Sequence, residues 1–92
     1  MKIYFTQNAK TDYLQLFDYL KEEWGQNLAN RFTKKMIGIL ELLSIFPNMG
    51  VLEVEPKKIR SYPITKQVRI FYTIEVDMLI VLALVDLRKL KQ

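Results

Sequence analysis

The stretch from Val68 to Arg88, VRIFYTIEVDMLIVLALVDLR, constrains the fold more than any other part of the chain. Its first arm alternates. Val68, Ile70, Tyr72 and Ile74 fall on one side, Arg69, Phe71, Thr73 and Glu75 on the other. A period of two is the pattern of a strand with two unlike faces. The second arm, Met78 to Val85, is apolar without a break. That suits a central strand covered on both faces. A buried helical segment shares the pattern, but the β-branched content and the nearness of the first arm favour a strand. The stretch therefore predicts a β-hairpin.

Register decides what each face carries. With Val76-Asp77 as a two-residue turn, Glu75 lies opposite Met78, Thr73 opposite Ile80, Phe71 opposite Leu82 and Arg69 opposite Leu84. Directly opposed residues share a face. One face then carries Ile70, Tyr72, Ile74, Leu79, Val81, Ala83 and Val85, an apolar floor for helices. The other carries Arg69, Phe71, Thr73, Leu82, Leu84, Asp86 and Arg88, a mixed surface with two arginines. A slip of one residue in one arm would send Arg88 to the opposite side. The turn lacks the Gly or Asn that two-residue hairpin turns prefer, so a longer turn is the alternative.

The rest of the chain supplies the cover. Lys2 to Phe5 alternates as a short first strand. Thr6 has the hydroxyl of an N-cap. Ala9, Tyr13, Leu16, Phe17, Leu20 and Trp24 then recur at intervals of three and four, the stripe of an amphipathic helix. Gly25 is placed to end it. Leu28, Phe32, Met36, Ile39, Leu40 and Leu43 form the stripe of a second helix, which Pro47 stops. So short a connection makes the two helices antiparallel neighbours. Trp24 and Phe32 are expected to pack between the helices and the apolar sheet face. Arg31, Lys34 and Lys35 make a small basic patch, read as a solvated face. Pro47-Asn48-Met49-Gly50 is a turn cluster, Val51 to Val54 a short strand, and Ile59 to Ile64 a further strand. Pro63 calls for an irregular or edge position there. The order predicts one α+β domain over residues 1–92. It has an N-terminal strand and an αα-hairpin packed on a curved, mostly antiparallel sheet.

Composition narrows the chemistry. The chain has neither cysteine nor histidine. Disulfides, thiolate metal sites and nucleophile–histidine pairs are thereby excluded, and no metal or cofactor is expected. Any chemistry must come from Lys, Arg, Tyr, Asp or Glu. No targeting segment is visible, and Met78 to Val85 is too short to span a bilayer, so a cytoplasmic protein without membrane contact is expected. The net charge is +4. Residues 51–92 hold eight basic and five acidic groups, against six and five in residues 1–50, so the excess lies on the predicted sheet. That is a mild polyanion signal and no more.

The chain resembles the RelE/ParE superfamily of bacterial toxins from type II toxin–antitoxin modules. The resemblance rests on Ala9, Asp12 and Leu16, on Trp24-Gly25 with Ala29, Phe32 and Leu40, and on Leu43 with Pro47-Asn48-Met49-Gly50. It continues through Ile59-Arg60, Val68-Arg69-Ile70-Phe71-Tyr72 and Asp86-Leu87-Arg88. It implies the same fold. It also implies one of two activities, inhibition of DNA gyrase by ParE-like toxins or cleavage of messenger RNA on the ribosome by RelE-like ones. Either kind is neutralised by an antitoxin that wraps the toxin. RelE-like cleavage would use a basic cluster on the open sheet face, matched here at Arg69 and Arg88, to hold phosphate and stabilise a developing oxyanion. An ion pair between Arg69 and Asp86 is the competing use of Arg69. RelE-like enzymes also place an aromatic acid/base, often tyrosine, soon after the last arginine. Here Lys89-Leu90-Lys91-Gln92 follows, with neither tyrosine nor histidine. The helix-ending Pro-x-x-Gly leans towards ParE. The expectation is therefore a ParE-like growth inhibitor associated with plasmid stabilisation, with RelE-like endonuclease or a non-toxic antitoxin-binding domain as alternatives. Arg60, Lys66, Arg69, Phe71, Leu82, Leu84, Asp86 and Arg88 are the candidate face for antitoxin or target. A homodimer is left open.

Overall fold

The structure, a computed structural model, describes residues 1–88. Strand β1 (Lys2–Phe5) leads into helices α1 (Gln7–Trp24) and α2 (Gln26–Ile45). A 3-10 turn, Pro47–Met49, precedes strands β2 (Val51–Val54), β3 (Ile59–Pro63), β4 (Val68–Glu75) and β5 (Met78–Asp86). The five strands form one sheet in the order β1-β5-β4-β3-β2. β1 runs parallel to β5, and all other pairs are antiparallel. The expected α+β architecture is present.

A single glycine joins the helices. The Gly25 amide donates to Lys21 O (2.9 Å) and closes α1, while its carbonyl accepts from Ala29 N (3.2 Å) and opens α2. Its φ of 97° is one that L side chains rarely adopt, so glycine is needed here. The hairpin this creates lays Leu16, Phe32, Met36, Leu40 and Leu43 on Val68, Ile70, Tyr72, Leu79 and Val81 of the sheet. Phe32 is 6% exposed, as the helical stripe predicts, but Trp24 is 65% exposed and does not join the core. It is the last residue of α1, and the space beside it is an open groove, not packed side chains.

The two-residue turn at Val76-Asp77 forms without Gly or Asn, and Val76 takes a positive φ of 55° to make it. From there the expected register holds, Glu75 opposite Met78 and Thr73 opposite Ile80, as far as Tyr72 opposite Val81. Then it shifts. Leu82 is left without a partner, and Phe71 pairs with Ala83, Ile70 with Leu84, Arg69 with Val85 and Val68 with Asp86. A bulge of one residue exchanges the faces of everything beyond it. Leu84, expected on the mixed face, is in the core at 6% exposure, and Ala83 and Val85, expected in the core, pair with Phe71 and Arg69 on the opposite face.

The cause lies in α1. β1 ends opposite Val81, so β5 has no strand beside it beyond that point. The first turns of α1 take over. Thr6 Oγ1 and Asn8 Nδ2 each donate to Leu82 O (both 3.2 Å), and Leu84 N donates to Asp12 Oδ2 (3.0 Å). Thr6 also accepts from Ala9 N (3.1 Å), the cap expected of it. Pro63 has a similar logic. β2 begins opposite Ser61, so Pro63 sits where β3 has no neighbour on that side and no ladder bond is lost.

Two predictions follow from this packing. Phe32→Ala is expected to cost about 3–5 kcal/mol in urea unfolding, the usual cost of emptying a buried Phe site. Trp24→Ala should stay within about 0.5 kcal/mol, as exposed positions do. Asp12→Ala leaves the Leu84 amide without its acceptor and should cost about 1–3 kcal/mol, whereas Asp12→Asn, which keeps an oxygen there, should cost clearly less. A loss under about 0.5 kcal/mol for Asp12→Ala, the scale of an ordinary surface change, would show that this hydrogen bond contributes nothing.

Candidate functional site

The face of the sheet away from the helices holds Arg69 and Phe71 of β4 with Ala83 and Val85 of β5. Arg69 is half-buried, and its Nε donates to Ser61 Oγ at 3.1 Å. The Ser61 hydroxyl, fully buried, donates in turn to Glu53 Oε2 in a short hydrogen bond. This chain of three polar groups crosses β4, β3 and β2. It gives Arg69 a structural partner, and that partner is Ser61, not Asp86. Phe71 and Leu82 are half-buried.

Arg88 is on the other side of the sheet. The bulge turns Asp86 towards the helices, opposite the buried Val68. The Asp86 side chain is 8% exposed, and its carboxylate accepts from Arg88 Nε (3.0 Å) and Nη2 (2.8 Å). That pairing raises the Arg88 pKa above its ordinary value. The Arg88 guanidinium also lies over the ring of Tyr19 of α1, 5.5 Å from its centre. Arg69 and Arg88, expected side by side on one surface, are therefore separated by the sheet. The reading of Lys89-Leu90-Lys91-Gln92 as a tail without an acid/base lies outside the described residues.

The remaining candidates have separate settings. Arg60 Nη1 donates to Gly50 O (2.9 Å) and Asn48 O (3.4 Å), so it braces the turn after α2. Tyr72 holds the same turn from within the core. Its hydroxyl donates to Pro47 O (2.7 Å) and accepts from Gly50 N (3.0 Å). Burial raises its pKa above the ordinary phenol value, against the opposing effects of the Gly50 amide and Arg60. A Cβ at Gly50 would come within 2.5 Å of that hydroxyl, which is why the turn needs glycine. Lys66 is exposed in the β3–β4 turn, where Thr65 Oγ1 accepts from the amides of Gln67 and Val68 (both 3.2 Å). No group of three or more carboxylates among the described residues could hold a metal ion.

One concavity was not foreseen from the sequence. A groove of about 560 Å³ opens at the hairpin end of the helices. Leu20 and Trp24 of α1 and Leu28 and Phe32 of α2 form its apolar wall, and the β3–β4 turn closes it below. Arg31, Lys35 and Arg88 stand on its rim. The signal was in the spacing: Leu28, Arg31 and Lys35 follow one another by three and four, beside Leu20 and Trp24 on the facing helix. Counting Arg31 and Lys35 as solvated charges hid it.

Comparison with known proteins follows the same lines. The chromosomal ParDE toxin–antitoxin system of Pseudomonas aeruginosa contains a chain that superposes with a TM-score of 0.78 at 13% identity, over 94% of this chain and 95% of that one. A YoeB/ParE toxin from Agrobacterium tumefaciens gives 0.66 at 17% identity, over 94% and 98%. A mutant toxin from Helicobacter pylori gives 0.66 at 19%, over 98% of both chains. At such identities these likenesses show the fold alone. Among curated proteins none matches. The family model described as the ParE toxin of the type II toxin-antitoxin system, parDE, matches residues 3–89, nearly the whole chain. By that match, the chain belongs to the ParE family of type II toxins.

Proposed function

We propose that this chain is a growth inhibitor that acts by binding DNA gyrase, without cutting RNA, and that a cognate antitoxin neutralises it. The observation that carries the non-hydrolytic reading is the separation of Arg69 from Arg88. Cleavage of RNA by its own 2′-hydroxyl needs cations converging on one phosphate, with a proton acceptor and donor beside it. Here Arg69 is bonded to the buried Ser61 on one face, and Arg88 is clasped by Asp86 and Tyr19 on the other. No histidine occurs anywhere in the chain to serve as base. A protein that inhibits by occupying a surface has no need of such convergence. The P. aeruginosa ParDE system supports a paired antitoxin, and a gyrase target would place the action in the cytoplasm.

Induced expression tests the proposal. Growth should stop, purified chain should block supercoiling by gyrase, and messenger RNA from arrested cells should show no new ribosome-dependent ends. RNA cleavage that disappears in Arg69→Ala would replace this reading with the endonuclease. Normal growth on full expression of a folded chain would leave only an antitoxin-binding domain.

A further inference from the structure

The opposite end of the helices, where α2 stops, gathers apolar side chains that the core does not use. Ile45 is 68% exposed and Phe46 57%, with Leu42 and Met49 exposed beside them. Strand β2 continues this surface with Val51, 59% exposed, and with Leu52. The patch is held in shape from within. Phe46 N still donates to Leu42 O (2.9 Å), which completes the last turn of α2. The Tyr72 hydroxyl and the Arg60 guanidinium fix the backbone from Pro47 to Gly50. A surface fixed in this way loses little freedom on contact.

Two features say what can cover it. A hollow of about 500 Å³ lies between Ile45, Phe46, Pro47, Asn48 and Met49, and no charged residue among those described lines it. A polyanion finds no cation there, and a charged partner would lose its hydration without gaining an ion pair. A neutral apolar surface, by contrast, can meet a copy of itself without opposing like charges. The second feature is the edge of the sheet. β2 is the last strand, and no strand of the described residues pairs with its outer side. Its free amides and carbonyls are matched by another extended strand. Under a two-fold axis β2 meets its own copy antiparallel. An axis at Leu52 sets Val51 opposite Glu53 of the second copy, whereas an axis at Glu53 would oppose two carboxylates. Glu53 is already the acceptor of the buried Ser61 hydroxyl, so its charge is partly answered within its own chain. We infer that this surface is the interface of a two-fold dimer, with β2 paired to β2 and the Phe46 of each copy seated in the hollow of the other. The inference is independent of what the chain inhibits. It leaves the groove beside Trp24 uncovered, because α2, of 20 residues and roughly 30 Å, separates the two ends.

Sedimentation equilibrium of the purified full chain tests it. The wild type should approach twice its chain mass of 11.0 kDa as concentration rises. The double variant Ile45→Glu, Phe46→Asp should raise the dimer dissociation constant about tenfold or more, as loss of central apolar anchors does. Its circular dichroism should stay that of the wild type, since both positions are exposed. Val51→Lys, placed on the strand instead of the helix end, should have the same effect and serves if the double variant does not fold. Val76→Asp, an exposed apolar position in the β4–β5 turn, should leave the dimer intact. The natural sequence has no cysteine, so a single introduced thiol reports one contact. Leu52→Cys should oxidise to a covalent dimer in dilute solution, and Lys34→Cys, exposed on α2, should stay a single chain. A wild type that sediments at the mass of one chain at every soluble concentration overturns the inference. So does a dimer that survives both the double variant and Val51→Lys, which would lie on another surface. A dimer lost in those variants but never trapped by Leu52→Cys overturns the strand pairing on which the arrangement rests.

Discussion

The arrangement of the whole molecule depends on how the backbone of β5 is satisfied once β1 has ended. A buried amide or carbonyl without a partner is costly, and β5 continues past the last residue that β1 can pair. Thr6, Asn8 and Asp12 resolve this with side chains, by holding Leu82 O and Leu84 N. The helix is thereby fixed to the sheet at its first turns. The strand gains a bulge, and the residues beyond it change sides. A helix–sheet contact made by three short polar side chains thus determines which residues form the core at that end of the sheet.

The same bulge shapes the surface chemistry. In a regular hairpin, Arg69 and Arg88 would lie together with Asp86 between them. In the bulged one, Val68 faces Asp86, and Asp86 takes Arg88 to the helix side. Two basic regions result. One is a single half-buried arginine tied into the sheet through Ser61 and Glu53. The other is a rim of cations around an apolar groove. The first is built like a structural element, because Ser61 is fully buried and both its neighbours are engaged. In the second, Arg88 is held by Asp86 and Tyr19, while Arg31 and Lys35 stand exposed.

The fold was legible because its signals are local. Period-two alternation in β4, the three-and-four stripes of the helices, Thr6 as cap, and Gly25 and Pro47 as stops each need only a few residues to be read. The site was less so. Bulge formation depends on Asp12 meeting Leu84, seventy-two positions away, and no spacing rule announces it. A carboxylate on the polar side of an amphipathic helix looks solvated until the strand that needs it is placed. Trp24 failed for the opposite reason. It kept the stripe's period, but the period says which side of the helix a residue faces, not whether the opposing element extends that far. Arg31 and Lys35 were visible as charges, yet their meaning came from what α1 and the β3–β4 turn put beside them.

What remains exposed is the physical ground for expecting a partner. Among the described residues no buried side-chain polar atom lacks a hydrogen bond, and the core is continuous from Ala9 to Leu84. The chain therefore closes its own interior without calling on Trp24 at one end of the helices or on Phe46 and Val51 at the other, all of which are well exposed. Surface of this kind costs solubility and returns nothing to folding stability. The two ends differ in one respect that matters for recognition. Around Phe46 the neighbours are apolar or neutral, Ile45, Pro47, Asn48 and Met49, which gives no hint of a partner's sign. Around Trp24 the cations do, because desolvating Arg31 and Lys35 against an uncharged partner would be unfavourable, whereas a carboxylate on the incoming chain offsets that loss. Hydrophobic side chains stand exposed at both ends, and of the two only the end beside Trp24 is lined by cations.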